Sequence, residues 1–353
     1  MNMLRRQFLA AGGAFALGSD DPFVWRAGEG TYHTYRIPAV LRSRKGTLLA
    51  FCEGRRGGSG DSGDIDLLLK RSSDQGATWS ETQVLADLGT DTIGNPAPVA
   101  DRRGGTIHLL LTRNAGNVTE KQIIDRTVPE TRTVWTTTST DDGHTWAPPR
   151  EITTSVKPND WTWYATGPCN GIQLRTGRLL IPCDHVRADK SMWSHVIYSD
   201  DRGRTWKLGG SAGPQCNEST VAELADGTLL LNMRSYAGKN RRAVSRSRDG
   251  GLTWTPPELD DTLLEPVCQA SLIRSGKLLL FSNPASEKRM NMTVKSSDDD
   301  GKTWRVLETV HAGPAAYSNL VELARGRIGL LYERGERNAY EGIAWTTLSS
   351  GGK

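Results

Sequence analysis

Short apolar runs set off by glycine turns recur along the whole chain. They follow Gly46 (Thr-Leu-Leu-Ala), Gly105 (Thr-Ile-His-Leu), Gly177 (Arg-Leu-Leu-Ile), Gly227 (Thr-Leu-Leu-Leu), Gly276 (Lys-Leu-Leu-Leu) and Gly326 (Arg-Ile-Gly-Leu). Runs this short, bounded by turn residues, predict buried strands rather than helices. A second repeat, S-x-D-x-G-x-T-W, occupies residues 72–79, 139–146, 199–206, 247–254 and 297–304. Successive copies start 48 to 67 residues apart, and each follows a strand-like run such as Thr133-Val134-Trp135-Thr136 or Ser194-His195-Val196-Ile197-Tyr198.

The octapeptide has the chemistry of a stapled hairpin. Its aspartate can accept hydrogen bonds from N–H groups of its own turn, its glycine takes a positive φ, and its tryptophan packs back on the strands. A unit therefore reads strand one, glycine turn, strand two, loop, strand three, octapeptide turn, strand four. Six glycine turns against five octapeptides imply six units, the last running out of chain after Ile343-Ala344-Trp345-Thr346. Four-stranded units repeated around an axis leave only short protected edges, so the expected fold is all-β, a six-bladed β-propeller. Phe23-Val24-Trp25 is expected to supply the missing outer strand and close the ring. No linker or shift of composition divides residues 19–353, which are expected to form one domain.

Composition agrees with this reading. The chain has 353 residues, 37% of them hydrophobic, with 11 Trp and 38 Gly, which suits a turn-rich β protein. No run of eighteen apolar residues exists, so no membrane span is expected. Two of the +4 formal charges are Arg5 and Arg6, and the remaining +2 is too little to imply a nucleic-acid partner. The start, Leu4-Arg5-Arg6-Gln7-Phe8-Leu9 followed by an apolar run with Ala14-Phe15-Ala16, reads as a twin-arginine-like export signal over residues 1–18. Export to the periplasm or outside the cell is the expectation. Five widely spaced cysteines give neither a disulfide framework nor a metal motif and read as small buried hydrophobes. The histidines lack zinc spacing, and the run Gly60-Asp61-Ser62-Gly63-Asp64-Ile65-Asp66 lacks the distal glutamate of a calcium loop.

Strand direction alternates within a unit, so strand ends sort onto two faces. The glycine turns and octapeptides share one; the start of strand one and the loop after strand two share the other. On that second face, Arg36, Asn95, Glu218 and Tyr317 precede first strands. Arg55, Asp61, Glu120, Asp184, Arg234, Arg289 and Glu333 follow second strands. With strand one innermost, these groups can converge around the axis. Arginines converging from separate units repel unless an anion or acidic partners lie among them, and their forks match a carboxylate. A tyrosine beside a glutamate offers an activated phenol, and an aspartate on a Gly/Ser loop offers a proton. Taken singly, Arg234 and Arg289 read as solvated rim charges and Tyr317 as a packed aromatic. As a set they point to a site for a sugar bearing a carboxylate.

At these residues the sequence resembles the bacterial and animal exo-sialidases (neuraminidases), over nearly the whole chain beyond residue 18. The octapeptides are similar to that family's Asp-boxes, and Tyr35-Arg36-Ile37-Pro38 to its Arg-Ile-Pro signature. Glu53-Gly54-Arg55, Asn232-Met233-Arg234-Ser235 and Gly313-Pro314-Ala315-Ala316-Tyr317 are similar as well. The resemblance implies a retaining hydrolase that removes terminal sialic acid from glycoproteins, glycolipids and oligosaccharides, with no metal or organic cofactor. It implies that Arg36, Arg234 and Arg289 clamp the carboxylate, that Glu333 orients Arg36, and that Arg55 lines the adjoining pocket. Tyr317 would be the nucleophile, Glu218 its base and Asp61, rather than Asp64, the acid/base, while Asn95 and Glu120 match pocket positions. Two segments depart from the pattern. Gly167-Pro168-Cys169-Asn170 stands where members often read Gly-Pro-Gly-His, and Asp184-His185 stands where animal relatives place tyrosines of the glycerol pocket. The rival readings are a non-catalytic sialic-acid lectin, a trans-sialidase or anhydro-product enzyme, and a hydrolase for another acidic sugar such as Kdn.

Overall fold

The computed structural model describes residues 22–349, and the export segment expected over residues 1–18 lies outside them. Within that span the fold is all-β, interrupted by two short helices, Glu120–Ile124 and Thr153–Val156, and one 3-10 turn, Ala324–Gly326.

The strands form successive antiparallel meanders. Thr34–Arg42 pairs with Leu48–Arg55, then Ile65–Ser72, then Gln83–Ala86. Thr92–Ala100, Ile107–Asn114, Thr133–Ser139 and Arg150–Glu151 repeat the order. In the next meander the inner strand is split into Tyr164–Thr166 and Ile172–Gln173, both on Leu179–Val186, followed by Met192–Ser199 and Lys207–Ala212. Cys216–Glu223, Leu229–Ser235, Arg241–Ser247 and Glu258–Leu264 come next. Ser271–Ser275, Leu278–Pro284 and Met290–Ser297 then lead to an 18-residue strand, Arg305–Glu322. Where the sequence suggests two strands, this one serves two sheets: its first part pairs with Met290–Ser297 and its second with Arg327–Arg334. Gly342–Ser349 follows, and Phe23–Arg26 pairs antiparallel beside it, so the outer strand comes from the N-terminal side as expected.

The octapeptide turns are stapled as their chemistry requires. In the copy at residues 139–146, Ser139 Oγ donates to Asp141 Oδ1 and accepts from the Gly143 N–H, both at 2.9 Å. Asp141 in turn accepts from the Thr145 N–H at 2.9 Å and from its hydroxyl at 2.6 Å. Position four is left-handed as well as the glycine, with φ of 67° at Asp142 and 79° at Gly143. Three of the tryptophans differ from expectation and pack across to the preceding meander: Trp146 meets Phe51 edge-on at 5.9 Å, Trp206 meets His108 at 6.1 Å and Trp79 meets Trp345 at 5.5 Å, whereas Trp304 packs back on Phe281 of its own meander at 5.6 Å. For those three the stapled turn stands at the sheet margin, where the nearest apolar surface belongs to the neighbouring sheet.

The core accordingly lies between adjacent sheets. One cluster joins Leu49, Phe51 and Leu67 to Leu109 and Leu111 of the following meander. Each such fully buried side chain contributes about 1.5–3 kcal/mol. All five cysteines are buried and unpaired, in keeping with their reading as small hydrophobes.

Candidate functional site

Four inner strands are bulged where the candidate residues stand. Register slips between Arg36 and Ala39, Gly94 and Ala97, Cys216 and Ser219, and Ala315 and Ser318. Asn95, Glu218 and Tyr317 thus lie within bulges and Arg36 borders one, inside strands rather than ahead of them, because the ladder resumes on both sides. Bulges bend a strand and re-aim its side chains. Ile37, a β-branched residue at φ 60°, is held in this strained region by Glu333 Oε1, which accepts its N–H at 2.9 Å.

Tyr317 is the centre of the cluster. Its Oη donates to Glu218 Oε1 at 2.5 Å, and its backbone N–H donates to Glu333 Oε2 at 3.1 Å. Arg234 Nη1 reaches Glu218 Oε2 at 2.8 Å and Tyr317 Oη at 3.4 Å. The Cζ atoms of Arg36 and Arg289 lie 5.2 and 5.6 Å from the centre of the Tyr317 ring. Arg36 is forked on Glu333, Nε to Oε1 at 3.1 Å and Nη2 to Oε2 at 3.3 Å. Three guanidiniums from separate meanders therefore face one phenol. Arg289 forms no ion pair with the described residues; its Nη1 donates to Tyr340 Oη at 2.8 Å. Burial, and after it the Glu218 carboxylate, pushes the Tyr317 phenol well above its ordinary range, so the resting group is the neutral phenol.

Asp61 joins from the loop after Leu48–Arg55. Its Oδ1 lies 2.8 Å from Arg55 Nη1 and 3.5 Å from Arg36 Nη1. Desolvation pushes its carboxyl up, but Arg55 and Arg36 together hold it below the usual carboxylate range. Asp64 turns away to Arg56 at 3.1 Å, and Asp66 accepts from Tyr32 and Arg56, each at 2.7 Å. Asp64 and Asp66 thus share Arg56, while Asp61 stands apart on Arg55 and Arg36.

The remaining expected residues lie around this centre with different degrees of engagement. Arg55 donates twice to Glu53 Oε2, at 2.6 and 3.0 Å, and Glu53 Oε1 accepts from the Asn95 N–H at 2.9 Å. Asn95 Oδ1 accepts from Arg132 Nη2 at 2.5 Å. Glu120 opens the short helix, is exposed, and its side chain makes no hydrogen bond with the described residues. Desolvation of its carboxyl, opposed by Arg132 and helped by Asp61 and Glu218, raises it. Asp184 is buried, with Oδ1 accepting from Asn217 Nδ2 at 2.9 Å and Oδ2 unpartnered. Burial and then Glu218 push its carboxyl well up. His185 is turned into the core, stacked on Trp161 with ring centres 3.3 Å apart and 3.0 Å from His195 between Nδ1 atoms.

Sequence reasoning missed Tyr340 and Arg132, and it named Glu53 within the run Glu53-Gly54-Arg55 without giving it a role. Tyr340 bridges Arg36, whose Cζ stands 4.2 Å over its ring, to Arg289. Glu53 ties Arg55 to Asn95. Arg132 orients Asn95 and stacks over Trp163 at 4.2 Å. Arg132 was within reach of the face argument, because the start of a third strand lies on the same face as the end of a second. Tyr340 sits in a loop with no motif to mark it.

The family model described as a BNR repeat-like domain matches residues 46–330. A sialidase of Micromonospora viridifaciens is 36% identical over 339 residues, covering 89% of this chain and 52% of that protein. The chain therefore spans about half the length of that relative. An exo-alpha-sialidase of Aspergillus fumigatus is 34% identical over 353 residues, covering 89% of this chain and 83% of its own length. The solved structure of Hadza microbial sialidase Hz136 superposes with a TM-score of 0.85 at 32% identity, covering 93% of this chain and 68% of that one.

Proposed function

The chain belongs to the sialidase family, and on that premise we propose that it is a retaining exo-sialidase acting on terminal sialic acid of glycoconjugates, its meanders forming the six blades of a propeller. The observation that carries this reading is the 2.5 Å hydrogen bond from Tyr317 Oη to Glu218, set among Arg36, Arg234 and Arg289. A sialoside carries its carboxylate on the anomeric carbon. An ionised aspartate or glutamate nucleophile would be repelled there, whereas a phenol stays neutral until its proton leaves; sialidases are the tyrosine exception among retaining glycosidases.

In this reading the three arginines grip the carboxylate and Glu333 keeps Arg36 planar to it. Asp61 protonates the leaving oxygen as the bond to the anomeric carbon breaks. Tyr317 Oη forms the new bond while its proton passes to Glu218. Water then attacks, giving its proton to Asp61, and Tyr317 leaves with the proton returned by Glu218. Arg55, Asn95 and Glu120 line the sugar pocket. The resting Asp61 is held ionised partly by Arg36. A substrate carboxylate on Arg36 offsets that charge and lets Asp61 take up a proton, which couples binding to acid catalysis.

The test is to follow hydrolysis of an aryl α-sialoside by proton NMR with lactose present. Free α-anomer released first is the expected result. Binding without turnover, first release of the β-anomer, an anhydro sugar, or transfer to lactose would overturn the proposal.

A further inference from the structure

The strands that carry the Tyr317 cluster at one end carry a different constellation at the other. Arg36 and Arg42 lie toward opposite ends of Thr34–Arg42, as do Glu218 and Glu223 in Cys216–Glu223; Tyr317 precedes Glu322 at the close of Arg305–Glu322. Five or six extended residues at about 3.3 Å each separate the two ends by roughly 16–20 Å. Between the far ends lies a cavity of about 710 Å³, which shares no lining residue with the Tyr317 cluster. That volume is typical of small-molecule sites.

The cavity has an apolar floor and a basic rim. Val99, Val221, Ile273 and Val321 form the floor, while five arginines (Arg42, Arg44, Arg102, Arg175 and Arg274) face two glutamates, Glu223 and Glu322. The acids offset only part of the rim's charge: Glu322 is held by the Ser275 hydroxyl at 2.8 Å and has no ion pair with the described residues. Glu223 is taken by Arg175, through its N–H at 2.9 Å and Nε at 3.2 Å, and Arg274 pairs outward with Asp300 at 3.0 Å. Arg42, Arg44 and Arg102 form no ion pair with the described residues. Arg44 is held by the carbonyl of Arg103 at 3.1 Å, and Arg102 by that of Gln173. Arg42 makes no hydrogen bond with the described residues, and its Nε is buried without a partner. Beside it the Ser43 hydroxyl is also unpartnered, in a residue only 6% exposed. Buried donors left unmade are costly, and both belong to residues that line the cavity.

We propose that this mouth is a second binding site, for a small organic anion. Its carboxylate, sulfate or phosphate head sits among Arg42, Ser43, Arg44 and Arg102, and its apolar body rests on the valine and isoleucine floor. Guanidinium forks supply charge-assisted donors to any of these heads, and the floor favours an organic anion over a bare inorganic one. The site does not depend on the sialidase reading.

Calorimetric titration of the full chain with 2-naphthoate, naphthalene-2-sulfonate and 2-naphthyl phosphate tests it and ranks the head groups. One saturable site per chain is expected for at least one anion. Arg42→Gln should raise the Kd at least tenfold, and so, separately, should Arg102→Gln at an exposed position, each with an unchanged circular dichroism spectrum. Arg289→Lys should leave the Kd unchanged, and neutral 2-naphthalenemethanol or inorganic sulfate should bind at least tenfold more weakly. The proposal is overturned by the absence of saturable binding, by unchanged affinity in both arginine variants, by sulfate matching the best organic anion, or by sensitivity to Arg289→Lys, which would place the probe in the Tyr317 cluster.

Discussion

Arg55 and Asp61 are joined by a 2.8 Å ion pair although the first side chain is 3% exposed and the second 70%. The same Arg55 Nη1 also reaches the carbonyls of Ser59 at 2.6 Å and Gly60 at 3.0 Å. One buried guanidinium thereby anchors the tip of an exposed loop, and it influences both where Asp61 stands and how readily it takes a proton.

Arg55→Gln removes the strongest of the three arginine charges that hold the Asp61 carboxyl down, those of Arg55, Arg36 and Arg132. Asp61 should titrate higher in the variant, and the limb of the pH profile of kcat/KM that reports it should move upward. Release of the loop should also cut kcat by tenfold or more. An unmoved limb in a folded variant would remove Asp61 from the acid/base role.

Tyr317→Phe keeps the ring but deletes the oxygen that meets Glu218. Turnover of an aryl sialoside should fall by at least about a hundredfold, and Glu218→Gln should fall within the roughly 10²–10⁴-fold range of a lost general base. Near-normal rates in either variant, with an unchanged circular dichroism spectrum, would refute the pairing.

His108 is 2% exposed and burial lowers its pKa to about 4. An unfolded histidine titrates near 6.5. Below that value the unfolded chain binds a proton that the folded chain refuses, so this contribution is fully present above about 6.5 and is lost as pH falls toward 4. The loss approaches about 1.4 kcal/mol per pH unit. His195, lowered to about 3, acts in the same direction, whereas Asp184, whose carboxyl is raised, opposes it. Urea midpoints of the native chain and of His108→Gln, measured between pH 7 and pH 4.5, isolate the His108 share. The native chain should lose more stability across that range than the variant.

Gly203 combines a φ of 81° with a contact that leaves no room for a side chain, since a Cβ there would fall 2.1 Å from the His108 ring. Gly203→Ala should destabilise by roughly 1–3 kcal/mol and weaken the packing of Trp206 on His108. Thermal unfolding followed by tryptophan fluorescence checks this, and an unchanged midpoint would show that the turn yields without cost.

The local geometry of this protein was legible residue by residue. Ser139, Asp141, Gly143 and Thr145 interact within one turn, so their spacing alone predicts the staple, and the alternation of glycine turns and apolar runs predicts the meanders. Phe23-Val24-Trp25 could be placed beside Gly342–Ser349 because a repeat with a missing part names what must fill it. The sequence pattern also put Arg36, Glu218, Arg234, Arg289 and Tyr317 on one face.

What it left open was how those groups meet. The bulges at Ile37 and Asn95, the passage of Arg305–Glu322 between two sheets, and the crossing of Trp146 to Phe51 all depend on which surface comes to lie opposite. Such contacts join residues tens to hundreds of positions apart, as with Arg36 and Glu333 or Tyr317 and Glu218, and no local spacing encodes their distance. Tyr340 shows the limit most clearly, since a loop tyrosine without a motif becomes the bridge between Arg36 and Arg289 only when the last meander closes against the first. Turn chemistry is a property of a few neighbouring residues and is written in their order; the charge balance around one phenol is a property of the closed fold.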